Sequence, residues 1–167
     1  MSAVISAVLS VLVVLAAIPP SGEAAPPPET HCVVFVVDQR PDGELIVSEP
    51  ECFADEAAAD AKAAEGHESR AESVRAVSSF VLGKHFDGFN GSGSSISVVG
   101  SSCTGGYWNT PSAWANRISS SYNGCYRLRH WELPNKNGAS ENTYGVGTTN
   151  NLGSLNNRVQ SVSYHSS

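Results

Sequence analysis

A chain of 167 residues with 16 acidic and 10 basic side chains, net −6, has room for one domain or one domain plus an appendage. No dense basic block runs through it, which argues against nucleic acid as a partner. Its four cysteines lack the close C-x-x-C spacing of a zinc site.

The first residues read as an export leader. From Ala3 to Ile18 only Ser6 and Ser10 interrupt the apolar side chains, Pro19-Pro20 breaks the run, and Gly22-Glu23-Ala24 offers the small-x-small pattern of a signal peptidase site. The run is shorter than the roughly 20 residues a spanning helix needs. No Lys or Arg precedes Arg40, so an upstream start or a weak n-region stays open, as does an uncleaved anchor. The expected divisions are a signal peptide over residues 1–24, an N-terminal segment over 25–75 and a main domain over 76–167. The mature protein is expected to be secreted, extracellular, monomeric and not inserted in a membrane.

Export makes the cysteines informative. Cys32, Cys52, Cys103 and Cys125 fall in two separated clusters, and an even count in an exported chain implies disulfides. Of three possible connectivities, the local one (Cys32 with Cys52, Cys103 with Cys125) closes two short loops worth about 3 kcal/mol each in the chain-entropy model.

After a proline-rich stretch, residues 33–37 and 44–47 are β-prone runs joined through Pro41-Asp42-Gly43, a hairpin signal that Cys32 and Cys52 flank as a clamp. Residues 55–65 are alanine-rich and suit a helix stopped by Gly66, and residues 69–77 suit a second helical stretch. Residues 25–75 carry 12 acids and 4 bases, a local net of −8. Residues 76–167 carry 3 acids and 6 bases, a local net of +3. Opposite charge and a helix with nothing else to bury against predict that residues 29–75 dock on the main domain.

Past residue 78, Ser, Asn and Gly dominate, aromatics are spaced singly, and the pattern is mainly β. A repeat is visible. Phe86-Asp87-Gly88-Phe89-Asn90-Gly91-Ser92-Gly93-Ser94-Ser95 aligns with Trp131-Glu132-Leu133-Pro134-Asn135-Lys136-Asn137-Gly138-Ala139-Ser140, and Trp114-Ala115-Asn116-Arg117-Ile118-Ser119-Ser120 aligns with Leu155-Asn156-Asn157-Arg158-Val159-Gln160-Ser161. Two blocks recurring at about 41–45 residues leave room for about four strands per repeat, one Greek key each.

Aromatic-acid, Gly-x-Ser, then Asn-Arg-Ile/Val-x-Ser, twice over, resembles the βγ-crystallin fold, and within it the secreted bacterial proteins grouped with the metalloproteinase inhibitors. The resemblance covers residues from about 76 to 166 and implies a double Greek-key sandwich, preceded by the small disulfide-clamped hairpin and helix. No cofactor is expected to be required; the resemblance points to a weak calcium site as the candidate one, held by the Asn/Asp-Asn/Asp-x-x-Ser/Thr-Ser motif, which falls here on Asn116, Ser119, Asn156 and Asn157. Ala115 and Gln160 each replace one oxygen ligand, and neither motif holds a carboxylate, so side chains bracing tight turns compete with the calcium reading.

Catalytic motifs are missing. His85, His130 and His165 are isolated in sequence and expected at exposed or turn positions. No serine sits in a G-x-S-x-G elbow, and Asp87 and Glu132 occupy equivalent repeat positions, which duplication explains better than a hydrolase pair. Asn90-Gly91-Ser92 is a glycosylation sequon by letter and a turn by context. The residues 104–111, with adjacent Tyr107 and Trp108 among glycines, are the candidate protein-binding loop, core packing of the two rings being the alternative. The functional expectation is a non-catalytic binding protein, a peptidase inhibitor directed at a secreted metalloprotease or another extracellular protein. A calcium-stabilised envelope protein and an antimicrobial toxin-like effector of the same fold are the alternatives.

Overall fold

In a computed structural model of the chain, residues 28–68 and 79–167 are described. The expected leader, the second helical stretch over 69–77 and the 75/76 boundary lie outside them. The order is β1 His31–Gln39, β2 Leu45–Val47, β3 Glu51–Phe53, α1 Glu56–Glu68, β4 Phe80–Phe86, β5 Ser95–Gly100, β6 Thr104–Asn109, β7 Ser120–Asn123, β8 Arg127–Leu133, β9 Asn137–Tyr144, β10 Thr149–Asn151 and β11 Ser161–His165. The fold is mainly β, as expected, with one helix among the described residues.

Two sheets face each other. The larger runs β10-β7-β4-β5-β1-β2 with β3 also on β1, and the smaller runs β6-β11-β8-β9. Strands β4 to β7 belong to the first sequence repeat and β8 to β11 to the second. In each repeat the third strand leaves its own sheet: β10 pairs with β7, and β6 pairs with β11. The repeats also lock at their turns, where the Asn116 amide donates to Val159 O and the Asn157 amide to Ile118 O, both at 2.9 Å. Asn116 and Asn157 hold φ of 61° and 56°, a left-handed conformation that asparagine tolerates better than most residues.

Between the sheets lies the main core, built from Val34, Leu82, Ile96, Val98, Trp108, Trp114, Ile118, Leu128, Leu155, Val159, Val162 and Tyr164, among others. The front segment is part of this structure. Strand β1 runs parallel to β5 from His31↔Ser95 to Phe35↔Val99. Period-two alternation sends Val34 into the main core and Val33 to a second cluster beneath α1, with Ala59, Ala63 and Val99. The hairpin of β1 and β2 forms where Pro41-Asp42-Gly43 predicts it, and Gly43 supplies the turn's positive φ of 93°.

Helix α1 starts where Asp55 Oδ1 accepts the Ala57 amide at 3.1 Å, and it continues through Gly66 to Glu68. The expected stop at Gly66 is therefore corrected, since one helical glycine costs only about 1 kcal/mol and does not end a helix by itself. The helix lies on the outer face of the large sheet. There Lys84 of β4 is buried, with Nζ 2.6 Å from both Glu56 and Asp60.

The disulfides are Cys32–Cys52 and Cys103–Cys125, with no free cysteine among the described residues. The first joins β1 to β3 and the second ties the start of β6 to the turn before β8. Replacing Cys103 and Cys125 together by serine is expected to lower unfolding free energy by about 3 kcal/mol. Guanidinium midpoints at an unchanged denaturant slope are the measurement.

Candidate functional site

His85 and His130 are fully buried, which corrects their expected exposed or turn placement. They occupy equivalent repeat positions, one residue before Phe86 and Trp131, and the alternation that turns Leu128 inward turns His130 inward too. Their ring centroids are 5.9 Å apart, and His85 stacks on Trp108 at 5.7 Å. Ser121 Oγ stands between them, 2.8 Å from His85 Nδ1 and 2.9 Å from His130 Nε2, and Tyr164 OH is 3.3 Å from His85 Nε2. One consistent proton arrangement runs Tyr164 O–H to His85, His85 N–H to Ser121, and Ser121 O–H to His130. Burial holds His85 well below its ordinary value, with His130 adding to the effect. Burial lowers His130 to about 4, against the opposing pull of Glu141. This Ser–His contact is sealed in the core, where it bridges the two sheets.

The repeat turns hold two acid–arginine pairs. Arg117 Nη2 lies 2.6 Å from Asp87 Oδ2, and Arg158 pairs with Glu132 in the same way. The hydrogen bond from Arg158 is the main cause that lowers the Glu132 carboxyl. Of the four candidate calcium ligands, Ser119 and Asn157 are brought together, Ser119 Oγ lying 3.1 Å from Asn157 Oδ1 and donating to Asp87 O at 2.9 Å. Asn116 is exposed, and Asn156 Oδ1 is buried without a hydrogen-bond partner. These hydroxyls and carboxylates are engaged in bracing turns. Asn90, in the sequon, holds φ of 57° in a single 3-10 turn over Phe89–Gly91.

Tyr107 and Trp108 are not loop residues. They lie in β6, 3% and 1% exposed, and so do not present free rings as binding anchors. The exchange of β6 into the smaller sheet turns Trp108 into the core, and the hairpin covers Tyr107, whose amide donates to Gly43 O at 3.0 Å.

Exposed apolar side chains gather elsewhere. Tyr126, Tyr144 and Val146 are 51%, 50% and 64% exposed, and the two tyrosines meet edge to face at 6.2 Å. The β9–β10 loop that carries Val146 is fixed from several sides. The Gly145 amide donates to Tyr126 O, the Gly147 amide to Asn123 O, and Thr148 Oγ1 lies within bonding distance of the Tyr144 and Gly145 carbonyls. Gly145 and Gly147 hold φ of 97° and 80° on either side of Val146. The sequence shows the Gly-Val-Gly turn but nothing of its meeting with Tyr126.

Next to this tip is the outer face of the smaller sheet. Register places its outward side chains in rows: Thr104, His165, Arg127 and Tyr144, then Tyr107, Ser163, Arg129 and Asn142, then Asn109, Ser161, Trp131 and Ser140. The alternation Arg127-Leu128-Arg129-His130-Trp131 carries the signal for this face. Arg129 lies over the Trp131 ring at 4.1 Å and Lys136 over the Tyr107 ring at 4.4 Å. Burial, then Arg127, Arg129 and Lys136, lower the His165 imidazole.

No protein-family model, curated protein or solved structure matches this chain.

Two outcomes are expected. The buried histidines are neutral in the fold and protonated in the acid-unfolded chain, so stability falls as pH drops below the free value of 6.5 and continues to fall toward about 4, where His130 itself charges. Urea midpoints followed between pH 6.5 and 5 should show a slope that steepens from half to nearly all of about 2.7 kcal/mol per pH unit for the pair, His165 adding in the same direction. His85→Gln should roughly halve that slope. For calcium, calorimetry on the unaltered protein should detect no micromolar site, because each nearby carboxylate already pairs with an arginine. Ala115→Asp combined with Arg117→Ser should create measurable affinity.

Proposed function

We propose that this chain is a non-catalytic binding protein of the extracellular space, of the βγ-crystallin type, whose favoured target is a secreted metallopeptidase. Supporting the crystallin-type reading is the pairing order of the repeats, each of which keeps three strands together and exchanges the third in sequence, as a pair of interlocked Greek keys does. The two disulfides are compatible with an oxidising, extracellular place. No helix of the described residues is long and apolar enough to cross a membrane.

The observation that carries the binding reading is the tip formed by Tyr126, Tyr144 and Val146. It is an exposed apolar cluster on backbone that is hydrogen-bonded in place, so docking costs little ordering entropy. Two ring side chains beside a projecting aliphatic one also match the composition of interface hot spots better than scattered surface apolar residues do. The tip replaces Tyr107 and Trp108 as the anchor set. The calcium-stabilised structural reading is less favoured because Arg117 and Arg158 neutralise the acids that calcium needs.

Purified mature protein assayed against thermolysin-like, subtilisin-like and trypsin-like enzymes is expected to inhibit the first. Val146→Asp should then weaken inhibition by about 30-fold, the effect of losing one hot-spot anchor. No inhibition at micromolar protein, with no peptidase recovered from culture supernatant on the immobilised protein, overturns the reading.

A further inference from the structure

We infer that the outer face of the β6-β11-β8-β9 sheet is a second binding site, and that its ligand is a uronate-bearing polysaccharide. The first support is where the unpaired cations stand. Among the described residues, Arg40, Lys62, Lys84, Arg117 and Arg158 each lie within ion-pair distance of a carboxylate. Arg127, Arg129 and Lys136 do not, and all three belong to this one face or its rim. None of the twelve outward positions set by the strand register is an acid. The nearest acids are turned to other work. Glu44, at the β6 edge, pairs with Arg40 and accepts from Asn109 Nδ2, Asp42 accepts from the Tyr107 hydroxyl, and Glu132 pairs with Arg158. Glu141 stands opposite the inward-facing His130 and accepts the Gly153 and Leu155 amides at 2.7 and 3.0 Å.

The second support is that the cations are held ready. Arg129 is fixed by Nε and Nη2 bonds to Ser140 Oγ at 3.0 and 2.8 Å and by the Trp131 ring beneath it. Lys136 is held over Tyr107. Arg127 is half-buried in the row of Tyr144 and has no carboxylate of the described residues within ion-pair distance. Guanidinium groups two residues apart on one strand stand about 7 Å apart. A planar guanidinium pairs with a planar carboxylate through two parallel bonds, and this favours uronate among anions.

The third support separates a glycan from other polyanions. Single-stranded nucleic acid needs free aromatic faces for its bases. Here the Trp131 ring is covered by Arg129 and Tyr107 is 3% exposed beneath Lys136, which leaves Tyr144 as the single half-exposed ring among the twelve outward positions, too few to stack successive bases. A protein partner of standard size needs about 800 Å² and an apolar centre. Ser161, Ser163 and Tyr107 are buried, and the nine other outward side chains at strand spacing make only about 300 Å², with the arginines at the centre. That area suits a few sugar units. Asn142 and Ser140 beside the arginines supply partners for sugar hydroxyls, and the half-exposed Tyr144 ring next to Arg127 supplies a flat apolar platform. The site shares Tyr144 with the tip, but its cations Arg127, Arg129 and Lys136 are separate from Val146, so the arginine variants and Val146→Asp report on the two readings separately.

The test is affinity electrophoresis and calorimetry of the mature protein with polygalacturonate, alongside neutral dextran, dextran sulfate and a single-stranded oligonucleotide. Polygalacturonate should bind at low salt, with affinity falling as salt rises, and dextran should not bind. Arg127→Gln with Arg129→Gln should weaken binding by at least about ten-fold per lost guanidinium, while Lys62→Gln on α1 leaves it unchanged. Lys136→Gln, on a rim turn outside the core, gives a readout should the double variant fail to fold, and it too should weaken binding. The proposal is overturned if polygalacturonate does not bind at low salt, or if dextran binds equally. Preference for the oligonucleotide, or binding of dextran sulfate alone, also overturns it.

Discussion

Each of the two repeats gives its third strand to the other's sheet, so neither sheet is complete without both. Strand β10 closes the large sheet beside β7, and β6 closes the small one beside β11. The exchange brings Trp108 into the core against His85, and it sets the Asn116–Val159 and Asn157–Ile118 hydrogen bonds at the pseudo-twofold. Because β6 and β10 each pair with a strand of the other repeat, opening of either sheet is resisted by both repeats. That rigidity lowers the ordering cost of the binding proposed for the two surfaces.

The front segment completes the two sheets at one side. Strand β1 covers the otherwise open edge of β5, and the turn after it reaches across to β6, where Glu44 bridges to Tyr107. An exposed strand edge invites pairing with other chains, so covering these two removes a route to aggregation. The segment also sorts charge by face. Helix α1 brings Glu56 and Asp60 over Lys84 on the outer face of the large sheet, while the small sheet's outer face keeps its cations unneutralised. The split between an acidic front and a basic rear becomes, in three dimensions, a difference between two faces.

The core carries an uncommon polar element. His85, Ser121, His130 and Tyr164 form a chain of hydrogen bonds at the meeting point of the repeats, with His130 Nδ1 left buried at its end without a hydrogen-bond partner among the described residues. Buried imidazoles that stay neutral tie the stability of the sandwich to pH. They also give the interface a directional pairing that apolar side chains lack. All three of Ser121, His85 and His130 are sealed from solvent.

Local order along the chain was enough to determine a good deal. Alternation marked the strands, Pro41-Asp42-Gly43 marked the hairpin, and the cysteine clusters fixed which pairs bridge, because turns and short loops are set by neighbours in sequence. The recurrence of Asp87 with Arg117 and of Glu132 with Arg158 reported a duplication, and these four residues do occupy equivalent turns. Only the tertiary structure decided what became core and what became surface. Tyr107 and Trp108 looked like a loop because glycines surround them, yet the exchange of β6 buries both, and no local signal states to which sheet a strand will go. His85 and His130 lie 45 positions apart in the repeat alignment, and their meeting is a property of the pseudo-twofold. Likewise Tyr126 meets Tyr144, and Arg127 and Arg129 line up with Tyr144 and Asn142, only when β8 pairs with β9, since contact between distant residues is set by strand register rather than by sequence distance.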